Sequence, residues 1–140
     1  MASDKTQETA AEALMRAHVR YMASDMDRWM AVLSDDILFE FPFGQSVGAN
    51  PLKGKDSIKA AIDAFLGMLD GLEFDEPTFI SLSEPDQAIA EFGGKGTVKG
   101  TGAQYVQHYL VHIRCAQGKI VHIREFFDPT QITSAFQPGE

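Results

Sequence analysis

Residues 103–128 read AQYVQHYLVHIRCAQGKIVHIREFFD, and the way this stretch pairs with itself decides the fold. Two runs rich in β-branched and aromatic residues, Ala103–Cys115 and Lys119–Asp128, flank Gln117-Gly118. Glycine at the second central position fits a two-residue type I′ turn. Ala116 then pairs with Lys119. Counting outward sets Leu110 opposite Glu125, His112 opposite Ile123 and His108 opposite Phe127, all on one face. The other face carries Tyr109, Val111, Ile113, Ile120, His122, Arg124 and Phe126. Both faces are apolar enough to need cover: one meets helices, and the other meets a second subunit, which predicts a homodimer through the sheet. A three-residue turn with a bulge at Gly118 would instead put Tyr109 opposite Glu125, and Tyr109 and Gln107 would replace the histidines in the pocket.

Outward from this hairpin, further strands are expected at Ile37–Phe43, Leu72–Leu82 and Gln87–Val98. Helical periodicity marks Thr6–Met22, where Leu14, Ala17 and Tyr21 form a stripe widened by Met15, Val19 and Met22. Asp25 suits the N-cap of a short helix through Leu33 that buries Trp29, Met30 and Leu33, with Asp35-Asp36 turning the chain after it. A third helix opens at Lys55 or Asp56 and runs to about Leu69 with Ile58, Ile62, Phe65 and Leu69 on its apolar face. Pro129 begins a C-terminal tail anchored by Ile132 and Phe136. Helices followed by long antiparallel strands indicate α+β: a cone-shaped, curved, mostly antiparallel sheet with the N-terminal helices on its concave face, enclosing a small-molecule pocket. The 140 residues are read as one domain, with a core from about 6 to 129 and a tail from 130 to 140.

The formal net charge is −8, which opposes binding to nucleic acid or to an anionic membrane surface. No apolar run approaches the roughly 20 residues of a membrane span, and the N-terminus lacks an apolar signal core, so a cytoplasmic protein is expected. The single cysteine, Cys115, can form neither an internal disulfide nor a cysteine metal cluster, and no His or Asp beside it makes it a nucleophile. Gly93-Gly94 and Gly96 have no following helix and no GKS or GKT signature. They read as bends or bulges in a curved strand rather than a phosphate loop, and no cofactor is expected. Glu91 and Lys95 are read as a surface ion pair.

Glu125 is the most informative residue. Between Ile123 and Phe127 on an inward face, its carboxyl needs a partner or loses its charge, and a raised pKa would fit a general acid. In the two-residue-turn register His108 and His112 lie diagonally on either side of it, giving a proton-transfer unit with Glu125. Four residues apart on a strand, about 13 Å, the two histidines are too distant to share a metal ion, so none is expected. His18 on the first helix borders either the pocket or the surface. Tyr21, Trp29, Phe41, Phe43, Phe65, Tyr105, Leu110, Ile123 and Phe127 are the expected substrate-binding residues, and His122 and Arg124 fall on the opposite face.

Residues 25–44 (DMDRWMAVLSDDILFEFPFG), 54–62 (GKDSIKAAI) and 117–129 (QGKIVHIREFFDP) resemble the nuclear-transport-factor-2-like superfamily. The resemblance is greatest to the snoaL-like group of polyketide cyclases, ketosteroid isomerases and phenazine-biosynthesis A/B proteins, and it runs from about Ala10 to Pro129. It implies a cone-shaped domain, commonly dimeric through the sheet, with last-strand pocket residues at Ile123, Glu125 and Phe127. The positions of the ketosteroid isomerase base, oxyanion tyrosine and protonated aspartate fall at Phe41, Ala17 and Leu110, all apolar, so steroid isomerisation is not expected. Likeness to phenazine A/B proteins implies Glu125 as an acid catalyst and a pocket tyrosine near Tyr105. The expected function is acid/base proton transfer on an apolar small molecule (an isomerase, cyclase or dehydratase) without organic cofactor. The alternative is a non-catalytic ligand-binding or accessory protein of the same fold.

Overall fold

The computed structural model describes residues 7–136; Thr6 and the last four residues of the expected tail lie outside them. Thr9 caps the first helix, α1 (Ala10–Tyr21), through a capping box: its hydroxyl accepts from Glu12 N at 3.0 Å, and Glu12 Oε1 accepts from Thr9 N at 3.1 Å. The stripe that α1 buries is Ala11, Met15, His18 and Val19. It is turned from the expected one, and Leu14 and Tyr21 are half-buried at its margin. Asp25 caps α2 (Met26–Ala31) by accepting from Arg28 N at 3.2 Å. The chain then enters β1 (Leu33–Glu40) four residues earlier than expected, because Leu33, Ile37 and Phe39 all point into the core. Asp35 and Asp36 lie inside this strand, where its pairing shifts register, and are exposed.

A 3₁₀ turn (Gln45–Val47), the short β2 (Leu52–Lys53) and α3 (Lys55–Leu66) follow. After them come β3 (Leu69–Phe74), β4 (Thr78–Ile80), β5 (Gln87–Val98), β6 (Gln104–Ala116), β7 (Lys119–Phe127) and α4 (Pro129–Phe136). One sheet runs β2-β1-β7-β6-β5-β3, with β4 also paired to β5. Among the described strand pairs only β1–β7 is parallel. The sheet is strongly curled, and the helices fill its hollow side, giving the expected α+β cone. Where a C-terminal tail is expected, residues 129–136 form a helix. Asp128 Oδ1 accepts from Thr130 N at 2.9 Å and from its hydroxyl at 2.7 Å, and proline occupies the first helical position. No described helix is long and apolar enough to cross a membrane.

The hairpin at residues 117–118 has the expected turn and an unexpected register. Gln117 (φ 54°) and Gly118 (φ 77°) are both left-handed, as a type I′ turn requires, and Ala116 pairs with Lys119. Cys115 pairs with Ile120, but Arg114 pairs with His122, so Val121 is an extra residue in β7. Beyond this bulge every partner is displaced by one: Ile113 faces Ile123, Val111 faces Glu125 and Tyr109 faces Phe127. The side of β6 that joins Glu125 is therefore Tyr105, Gln107, Tyr109, Val111 and Ile113, all buried. His108, Leu110 and His112 go to the outer side with Phe126 and Arg124.

β5 adapts to this choice. A Cβ on Gly94 would lie 2.9 Å from the Phe74 ring and 3.0 Å from Tyr109 Cε2, so glycine makes the room in which the Tyr109 ring lies. Glu91 is exposed on the outer side, and Lys95 pairs in register with Glu73 rather than meeting Glu91. Gln117 is the only described non-glycine residue with positive φ. Replacing it with asparagine, which tolerates that region better, is expected to raise the unfolding free energy by about 0.5–1 kcal/mol, measured as the urea midpoint.

Candidate active site

Between the inner side of β6–β7, α3, α4 and residues 46–52 lies a cavity of about 560 Å³. Phe41, Phe65, Tyr105, Phe127 and Phe136 supply its aromatic walls, and Tyr109 and Glu125 supply polar groups at its base. Phe65, Tyr105 and Phe136 form one cluster with ring centroids 5.7–6.0 Å apart. Phe41 stacks on Phe39 at 4.5 Å and meets Phe127 at 6.1 Å in a second. A smaller cleft of about 320 Å³ between α1 and β3 is rimmed by charged residues, among which Arg16 pairs with Glu76 at 3.4 Å.

The β7 alternation turns Glu125 inward, where it is 8% exposed. Burial pushes its carboxyl up to about 8, and among the described residues no cation or hydrogen-bond donor offsets that shift. Tyr105 and Tyr109 are four residues apart on β6, about 13 Å along a flat strand. Yet their hydroxyls are 2.7 Å apart, because the curled sheet brings inward side chains together. Burial pushes Tyr105 up to about 12 and also raises Tyr109, and the nearby Glu125 charge opposes ionisation of both. These are neutral phenols. One hydroxyl donates to the other, so the pair keeps one hydrogen to give to a ligand.

Gln107, between the tyrosines, braces the end of β7. Its Nε2 donates to Asp128 O at 3.0 Å, and its Oε1 accepts from Asp128 N at 2.9 Å. Pro129 has no N–H for a further rung, so this side chain extends the ladder in place of the backbone. The brace fixes the start of α4, whose Ile132, Thr133 and Phe136 close one wall.

Of the expected residues, the structure gathers Glu125, Phe41, Phe65, Tyr105 and Phe127 around the cavity. It does not bring His108 and His112 to Glu125. The bulge at Val121 puts both on the outer side, where His112 Nε2 meets Gln87 Oε1 at 2.7 Å. Leu110 is outside for the same reason. Phe43 lies beyond the end of β1, 61% exposed, edge-on to Phe126 at 5.4 Å. Trp29 and Ile123 are wholly buried in the core and do not reach the cavity. Tyr21 is half-buried at the end of α1, bonded to Arg28 Nη1 at 3.4 Å.

His18 is buried, and its Nδ1 accepts from Trp29 Nε1 at 2.9 Å; burial pushes it down to about 4, so the imidazole is neutral. His122 and Arg124 are on the outer side as expected, both reaching Glu40, at 2.7 and 3.8 Å. The buried Cys115 thiol is pushed up to about 11, unsuited to nucleophilic attack. Among the described residues no group of three or more His, Cys, Asp or Glu is placed to hold a metal ion.

An α+β cone whose hollow holds one buried carboxyl and two phenols among aromatic rings has the architecture of the nuclear-transport-factor-2-like superfamily. The SnoaL-like domain matches residues 11–123, and the chain belongs to that family. It is similar to YesE of Bacillus subtilis (strain 168), an uncharacterized protein, with 29% identity over 129 residues that cover 92% of this chain and 88% of YesE. A crystal structure of a candidate isomerase from Bacillus subtilis superposes with a TM-score of 0.82 at 29% identity, covering 93% of this chain and 94% of that one. A phenazine biosynthesis-related protein of Pseudomonas aeruginosa has a TM-score of 0.73 at 21% identity, covering 94% and 91%.

Glu125 and His18 make stability depend on pH in opposite senses. The Glu125 carboxyl holds its proton more tightly when folded, so its contribution is complete below its ordinary 4.5 and is lost as pH rises through about 8. His18 holds its proton less tightly when folded, so its contribution is complete above 6.5 and is lost as pH falls through about 4. Between 4.5 and 6.5 folded and unfolded chains bind equal numbers of protons at these two sites. Stability is expected to be flat there and to fall on the alkaline side by up to about 1.4 kcal/mol per pH unit. Urea midpoints across pH check this, and Glu125→Gln should flatten the alkaline limb.

Proposed function

We propose that the protein is an enzyme of the isomerase, cyclase or dehydratase class, acting on a largely apolar small molecule by proton transfer, with Glu125 as general acid. One observation carries this reading: a carboxyl buried in the lining of an aromatic cavity with no partner among the described residues. With its pKa near 8, it is about nine-tenths protonated at pH 7 and can give a proton to a substrate oxygen or carbon. The carboxylate left behind then takes a proton from a neighbouring carbon, so one group serves as acid and base in turn. The spare hydrogen of the Tyr105–Tyr109 pair holds the substrate oxygen and stabilises charge developing on it. Ile132 and Phe136 of α4 and the aromatic walls surround the carboxyl with apolar surface, which strengthens these interactions.

A second reading, a non-catalytic binder of the same fold, draws support from the outward placement of His108 and His112, which leaves no imidazole in the cavity. Incubating a panel of enolisable ketones with the protein in D₂O and following deuterium uptake by NMR separates the two. Exchange should occur with the native chain and fall roughly 10²–10⁴-fold in Glu125→Gln. Tyr109→Phe should cost on the order of 10²–10³. Ligand binding with no exchange in the native chain identifies a binder.

The proposed assembly is a homodimer through the outer side of the sheet, where Leu110, Phe126, Val106 and the edge-on Phe43 form an apolar strip. The hairpin read without a bulge puts Tyr109, Val111, Ile113 and Ile120 on the face opposite Glu125 as the subunit contact; they are core residues instead, so a charge introduced at Ile113 would break the fold rather than a dimer. A dimeric mass is expected at micromolar concentration, with Leu110→Glu shifting it to a monomer that keeps its native circular dichroism.

A further inference from the structure

We propose that the Glu125 cavity binds flat lipophilic primary amines as ammonium ions, with the ammonium on the carboxylate and the hydrocarbon between the aromatic walls, and that it excludes anions of the same shape. This rests on the cavity being the ligand site, as in the function proposed above, but not on turnover.

The charge inventory of the walls is the first ground. No lysine, arginine or histidine lines the cavity from α1, β1, residues 46–52, α3, β6, β7 or α4. Among the described residues its ionisable groups are Glu125 and the phenols of Tyr105 and Tyr109. Asp128, just past Phe127, is exposed and engaged with Thr130. Among the described residues none therefore supplies a cation to an ionised Glu125, and an ammonium ligand supplies one. A carboxylate or phosphate ligand would find no cation and would set a second negative charge beside the first.

The second ground is the walls themselves. Aromatic rings attract an ammonium, most strongly when it is desolvated, and both aromatic clusters line the cavity that holds Glu125. The phenol oxygens accept from ammonium hydrogens that the carboxylate does not use. A volume of about 560 Å³ suits a bicyclic or tricyclic hydrocarbon.

Charge balance adds a signature. In the empty protein at pH 7 the carboxyl is mostly protonated. Binding an ammonium ion forms the carboxylate–ammonium pair and sends the carboxyl proton to the buffer. A neutral ligand releases none.

The test is isothermal titration calorimetry at pH 7, in phosphate and in Tris, with 2-naphthylmethylamine, 2-acetylnaphthalene and 2-naphthoate. The amine should bind with release of close to one proton, acetylnaphthalene with none, and naphthoate at least 100-fold more weakly than the amine. In Glu125→Gln the amine should lose its proton release and at least 10-fold in affinity. Acetylnaphthalene should stay within a few-fold, which also reports that the variant is folded. Amine binding without proton release, no amine binding at millimolar concentration, or naphthoate binding as tight as the amine overturns the proposal. Loss of deuterium exchange with these results intact removes the catalytic reading and leaves the amine site; the converse removes the amine site alone.

Discussion

Ile120 and Ile123 are three residues apart on one strand, and both side chains are completely buried. A regular strand cannot do this, because residues three apart point to opposite faces. The bulge at Val121 resolves the conflict, and the burial of two isoleucines, about 1.5–3 kcal/mol each, outweighs one disturbed rung of the ladder. The rest of the inner surface depends on that choice. It sends Tyr109, Val111 and Ile113 to the side of Glu125 and turns two histidines outward. Gly94 then has to be glycine to receive the Tyr109 ring, and Gln107 is brought to the end of β7, where it holds the start of α4.

Curvature does the remaining work. On the hollow side, inward residues four apart converge, and the two tyrosine hydroxyls meet. On the other side the same spacing separates His108 and His112, and each finds its own surroundings. One sequence interval thus produces a hydrogen-bonded pair on one face and two independent side chains on the other.

Much of this can be read in the residues. The strand extents of β5, β6 and β7, the caps at Asp25 and the two-residue turn at Gln117-Gly118 follow from local chemistry, and so does the inward direction of Glu125 between Ile123 and Phe127. The bulge does not announce itself: Ile-Val-His-Ile reads equally as a regular strand, and only the neighbouring β1 and β6, which both shift register at that point, select the bulged form. That single residue misplaced His108, His112 and Leu110. Helix α4 was signalled, since aspartate before proline before threonine is a cap followed by a first turn, with Ile132, Ala135 and Phe136 spaced for one face. Trp29 could not be told from a pocket aromatic by sequence, because its partner, His18, lies on another helix.

The two faces of the sheet answer to different solution conditions. Inside, Glu125 and His18 are kept neutral by burial, so at neutral pH there is little charge for dissolved ions to screen. Outside, Glu40 is held by His122 and Arg124 in contact with solvent, where added salt weakens each attraction. Ionic strength therefore reaches the outer face and leaves the cavity largely untouched, while protons set the state of the cavity. A change of salt at constant pH is a way to perturb one side of this sheet alone.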